Sequence, residues 1–306
     1  MSAVHIMDAE VDQPMPTLEG VVARGRAGVG DASDREGAAL RRDVWPGGRV
    51  TFVHLLRSEW IKFWSIRSTW WVLGVLVVVI IGFGLAWAGT ESTAAPSARG
   101  ATVHASDAAS LAVSFGQLVM AILAVLIITN EYGSGEIRTS LIAAPDRLRL
   151  LMAKALMVLG VGFVVPFVSV YAAELCAWPL IQSFAVDNRF TGDGITVALG
   201  AALAVALVAL TAFGIAALVR NAAGAIGIVT ALVLVLPPVF ALLPAKWLFT
   251  VGTYLIGNVA SGLFALPSQV DAAKGVYSFG ESLGITALWV VVPLACSAVL
   301  LWRRDA

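Results

Sequence analysis

Residues 108–129 read AASLAVSFGQLVMAILAVLIIT, and residues 130–154, which follow them, read NEYGSGEIRTSLIAAPDRLRLLMAK. The first segment carries no charged side chain and none of the alternation of a half-buried strand. Its length is close to the roughly 20 residues that a helix needs to cross the hydrocarbon core of a bilayer. The second segment crowds three acids and four bases into a polar island before the chain turns apolar again. The pair therefore reads as a membrane-spanning helix, a charged connection and the start of a second spanning helix.

The rest of the chain supports that reading. Apolar residues make up 59% of the 306 positions and charged residues 13%, against about 45–50% and about 25% in soluble domains. A soluble core could not hide so much apolar surface. Lipid accepts it, provided the backbone is satisfied within helices or a closed barrel, and the unbroken apolar runs choose helices. The expected fold class is an all-α integral membrane protein of the cell membrane, in contact with lipid on its apolar faces. The formal net charge is zero, which gives no sign of a nucleic-acid partner. Cys176 and Cys296 both fall within apolar runs and read as small buried hydrophobes rather than a redox pair.

Six spans are expected, at about Trp70–Ala88, Ala108–Thr129, Ala153–Ala177, Ile195–Val219, Ala222–Leu243 and Ser282–Leu301. Of the twenty basic residues, only Arg99, Arg189, Lys246 and Lys274 then fall on one side. The positive-inside rule makes that side external and puts both termini in the cytoplasm. Trp247–Leu266 also lacks charge. A seventh crossing there would carry Arg303 and Arg304 outside, against the charge bias, and Thr250, Thr253, Tyr254, Gly257, Asn258 and Ser261 gather on one side of its helical wheel. Residues 245–281 therefore read as an external re-entrant segment. Pro166, Pro237, Pro238 and Pro293 mark expected irregularities within spans, because each removes a backbone hydrogen bond.

Two domains are expected. Residues 1–48, rich in Gly, Ala, Asp, Arg and Pro without apolar period, read as a disordered cytoplasmic tail; residues 49–306 form the transmembrane domain. Residues 50–68 open that domain as an amphipathic helix, with Thr51, His54, Ser58, Lys62 and Ser65 on a narrow polar face. Arg57, Lys62 and Arg67 beside bulky aromatics suit the headgroup zone of the membrane.

The polar island occupies the cytoplasmic loop 130–152. Glu131 stands just past the apolar run, Gly133 and Gly135 loosen the chain, and Ser134 is placed to cap a short helix with Glu136 in its first turn. Pro145 ends that helix by disfavouring the α conformation at Ala144. A helix so short is not stable alone in water, so it needs a partner surface. Ile137 and Leu141 offer a small apolar stripe for one, flanked by Glu136, Thr139, Ser140 and Ala143. Arg147, Arg149 and Lys154 mark the return to the membrane.

Three stretches in this order, LLRSEWIKFWSIRSTWW before the first span, NEYGSGEIRTSLIAAPDRLRLLMAK after the second and LLWRRDA at the end, resemble the permease subunits of ABC-2 type ABC transporters. The most specific part is the pattern of Glu131, Gly135, Ile137, Arg138, Leu141, Pro145 and Arg147. Family members carry it as E, Y, two variable residues, G, T, I, R and onward to a proline and an arginine; Glu136 stands where Thr is usual. The resemblance implies that the loop holds a coupling helix, with Glu131, Gly135, Glu136, Ile137, Arg138, Thr139, Leu141, Pro145 and Arg147 as candidates for coupling to a cytoplasmic ABC ATPase. It implies external re-entrant helices between the fifth and sixth spans. It also implies a machine of two permeases, identical or not, and two ATPase subunits.

The chain itself is not expected to be an enzyme or to hold a cofactor. GVVARGRA, residues 20–27, has the glycine spacing of a phosphate-binding loop, but Arg26 and Ala27 replace the required Lys and Ser or Thr. His5, His54 and His104 lie outside every span, and no H-E-x-x-H or G-x-S-x-G motif occurs. The expected function is therefore the export or flipping pathway for an amphipathic or hydrophobic substrate, driven by a separate ATPase. An ion-coupled secondary transporter is the alternative, and it would need ionisable groups within the membrane. Glu174, the only acid inside the expected spans, is the candidate for such a place in the pathway. A structural or sensory membrane protein without transport is the third reading.

Overall fold

The computed structural model describes residues 51–92, 105–134, 147–181, 193–271 and 275–303. The tail expected over 1–48 and the short helix expected after Ser134 lie outside the described residues. The described residues belong to one compact unit, Thr51–Ala306.

Helix α1, Phe52–Ser65, starts where the Thr51 hydroxyl accepts a hydrogen bond from the His54 N–H at 3.4 Å. It ends at Ile66, whose backbone is extended. The chain turns there into α2, Arg67–Ser92, and the corner is filled by aromatic rings. Trp64 lies 5.1 Å from Phe63 and 4.7 Å from Trp70, and the Trp70 indole donates to the Trp64 carbonyl at 3.1 Å. The single amphipathic helix expected over 50–68 is thus shorter and is followed at once by the first spanning helix.

Then come α3, Ala105–Ser134, α4, Arg147–Ile181, and α5, Asp193–Val219. Next, α6, Ala222–Thr230, passes through a π-helical turn, Ala231–Val235, into α7, Leu236–Leu242. The widened turn immediately precedes Pro237 and Pro238, which have no N–H to return to that turn. Short helices α8, Lys246–Thr253, and α9, Ile256–Val259, lead through 3₁₀ turns to the last helix, α10, Phe279–Arg303.

Six segments are long and apolar enough to cross a membrane: Arg67–Thr90, Leu111–Gly133, Leu148–Ala177, Gly194–Val219, Ala222–Leu242 and Phe279–Leu300. Residues 246–271 are broken into short helical pieces and supply none of them. Within the bundle α5 is the hub, packing extensively against α3, α4 and α10. Some 78% of its span is buried, against 17% for α10. Its surface explains this: Ala198, Ala201, Ala204, Ala209, Ala212 and Ala216 are all enclosed, and small residues let membrane helices approach closely. At Gly200 the approach is closest, since a Cβ there would overlap the Leu263 carbonyl.

Cys176 and Cys296 are exposed on their helices, not buried as their apolar surroundings suggest. In a membrane protein an apolar run does not distinguish a face turned to lipid from one turned to the core.

Candidate functional site

The polar connection leaves the bundle at the end of α3 and returns at the start of α4, and both stems are tied together by charge. Lys154, in the second turn of α4, is 1% exposed. Its ammonium donates to Glu131 Oε1 on α3 and to Glu59 Oε2 on α1, both at 2.5 Å. Lys62, one turn on from Glu59, completes the group at 3.9 Å from Glu59 and 3.8 Å from Glu131. Two acids and two bases make the set neutral. That balance matters because an uncompensated ion removed from water costs several kcal/mol, whereas an ion whose partners surround it is tolerated.

Local sequence places each group. Leu55, Glu59 and Phe63 follow at steps of four and form the buried face of α1, so Glu59 sits on the apolar stripe of its own helix. Beside it Leu55 packs with Leu150 and Ala153 of α4. On α3 the buried face runs through Ala124 and Ile128 to Glu131. The α3 helix does not loosen at Gly133, where the glycine suggested it. It continues to Ser134, so that Glu131 is held by helix and is 7% exposed. Lys154 does more than mark the return to the membrane, since it is enclosed between three helices.

A cleft of about 450 Å³ opens beside the cluster. Glu59, Lys62, Asn130 and Glu131 line its polar part, and Val72, Leu126 and Met157 line its apolar part.

The neighbouring residue points elsewhere. Tyr132, half-buried against the core, lies beneath Arg220, whose guanidinium carbon is 5.2 Å from the ring centroid. Arg220 forms the tight turn between α5 and α6 at a backbone φ of 55°, a conformation uncommon for any residue but Gly. The Asn221 side chain then caps α6 by accepting from the Gly224 N–H at 2.9 Å.

Among the sequence candidates, Glu131 is in this cluster. Gly135, Glu136, Ile137, Arg138, Thr139, Leu141 and Pro145 lie outside the described residues, and Arg147 is described only as the first residue of α4. Glu174 is remote: twenty residues along α4 from Lys154, it is about 30 Å away at a rise of 1.5 Å per residue. It is 5% exposed, neither carboxylate oxygen has a hydrogen-bond partner among the described residues, and Oε2 faces Gly194 in the first turn of α5. Sequence reading passed over Glu59, Tyr132 and the pairing of Lys154. The four-residue spacing of Glu59 with Leu55 and Phe63 was the available signal for the first; nothing local announces the other two.

No curated protein matches the chain. Among protein families, the one described as "ABC-2 family transporter protein" matches residues 55–238, more than half of the chain. The matched region includes most of α1, the charge cluster and the turn at Arg220.

Proposed function

The chain belongs to the ABC-2 transporter family, and on that footing we propose that this permease forms half of an exporter or flippase driven by a separate cytoplasmic ATPase. Residues 135–146 carry the contact with that ATPase, and the two helices flanking them carry its motion into the spans. Both termini and the loop lie in the cytoplasm, and α8 and α9 lie at the external side. The cargo is amphipathic or apolar, in keeping with spans rich in Ala, Val, Leu and Gly.

The observation that carries this reading is the bond of Lys154 to both Glu131 and Glu59. A loop whose two stems moved independently would lose a push in its own flexibility. Here α3 and α4 are locked together by buried charge at the base of the loop, and Glu59 adds α1. Displacement of the loop therefore moves three helix ends as a unit. ATP binding in the partner needs only to favour one arrangement of that unit over the other.

Affinity purification of the tagged chain from its native membrane tests the reading. The expected result is a complex of two permease subunits with a separate ATPase, and no ATP hydrolysis by the chain alone. Transport by the isolated chain under an ion gradient, without any ATPase, would establish the secondary-transporter reading in its place.

A further inference from the structure

We propose that Tyr132 and Arg220 form a second positioning link, which carries motion of the α3 stem to the α5–α6 turn and hence to the helices that the charge cluster does not reach. The link rests on the ATP-driven reading above. Glu131 and Tyr132 are consecutive on the last turn of α3, so one rigid turn serves both contacts. Glu131 holds α1 and α4. Tyr132, at the next position on the wheel, meets Arg220.

Three observations converge on this link. The first is the stacking itself: a guanidinium over an aromatic face is attracted by the ring quadrupole, and the attraction grows as water is excluded. The second is the backbone of Arg220. At φ 55° a Gly or Asn would be usual, yet an arginine occupies the position, and its side chain lies over Tyr132 at the end of α3. The third is the rigidity of the turn. Arg220 N–H still donates to Ala216 of α5 at 2.9 Å, while Ala225 N–H of α6 donates to the Asn221 carbonyl at 3.0 Å. Both helices are thus hydrogen-bonded into a two-residue joint, and displacement of Arg220 displaces both. The α6 helix also packs along α3, so the two contacts reinforce each other.

The division of labour is then physical. The cluster joins α1, α3 and α4; the stack joins α3 to α5, α6 and, through the continuous span, to α7 and α8.

The test uses the full permease with its ATPase in nanodiscs, with Cys176 and Cys296 replaced by serine because both are exposed, and with one engineered cysteine at the end of the bundle away from Arg220: Thr250→Cys on α8 or Thr90→Cys on α2, both exposed. The rate of maleimide labelling is compared without nucleotide and after trapping with ATP and vanadate. Arg220→Asn keeps a residue that tolerates the left-handed turn but removes the cation; Tyr132→Leu removes the ring; Tyr132→Phe and Arg220→Lys preserve ring and charge. The ATP-dependent change at Thr250→Cys is expected to vanish in Arg220→Asn and Tyr132→Leu and to persist in Tyr132→Phe and Arg220→Lys. The change at Thr90→Cys and the amount of bound ATPase should stay at parental level. The double variant should be no worse than either single one. Persistence of the Thr250→Cys response in Arg220→Asn overturns the link, as does equal loss at Thr90→Cys. A parent complex with no nucleotide response at either position overturns the ATP-driven reading itself.

Discussion

A lysine ammonium enclosed by protein is stable only if its partners stay, and Lys154 has two carboxylates at 2.5 Å with almost no access to water. Lys154→Met should therefore leave Glu59 and Glu131 with only the half-exposed Lys62 beside them and without their buried cation, at a cost of about 3–5 kcal/mol, read as a large fall in the melting temperature of the purified protein. Combining Lys154→Met with Glu59→Leu and Glu131→Leu removes the three buried charges at once and leaves Lys62, whose side chain is 46% exposed. Replacement of a buried ion set by apolar residues is commonly neutral or stabilising, so the triple variant should recover its melting temperature while failing to respond to ATP. Recovery of both would show that the cluster serves stability alone. At this scale the sequence was only partly legible. Glu131 could be singled out because it interrupts the pattern at the end of a span. Lys154 read as one more interfacial cation, because its two partners lie 23 and 95 positions away, and a single sequence contains no trace of such pairings.

The helices were more legible than their contacts. Length and unbroken apolarity locate six spans, since both follow directly from bilayer thickness, and the structure agrees to within a few residues at most ends. The proline positions foretold an irregularity in the fifth span, and the π-helical turn at Ala231–Val235 is its form. Which face of each helix meets protein was not legible, because lipid and core are equally apolar; the exposed Cys176 and Cys296 show this. Small residues carry the missing information, and α5 uses them to sit at the centre. Gly200→Val should drive a side chain into the Leu263 backbone and destabilise by about 1–3 kcal/mol, as overpacking does. Gly227→Ala on α6, where a Cβ meets nothing within 4 Å, should leave stability unchanged or raised. Thermal unfolding of both variants in the same detergent checks the contrast, and equal stability would show that α5 and the segment at Leu263 can separate freely.

For the molecule as a whole, orientation and drive are the two properties to establish. With both termini inside, cysteines introduced at Ser97, Asn188 and Lys274 should react with an impermeant reagent added to intact cells, and those at Ser134 and Asp305 should not. Reaction at Asp305 would call for a seventh crossing between Trp247 and Leu266. In the proposed mechanism, drive depends on the loop between α3 and α4. Within it, Glu136→Thr restores the residue usual in the family and removes one charge at the start of the expected short helix, worth about 0.3–1 kcal/mol, so it should be tolerated. Leu141→Asp puts a charge into the stripe assigned to the ATPase contact, outside every span, and should spare membrane insertion. The most direct test is the amount of ATPase that co-purifies with the tagged Leu141→Asp permease, relative to the parent at equal permease recovery. Loss of the ATPase from a normally inserted Leu141→Asp protein is the predicted result; parental amounts of bound, ATP-hydrolysing partner would contradict the assignment of this loop as the site of drive.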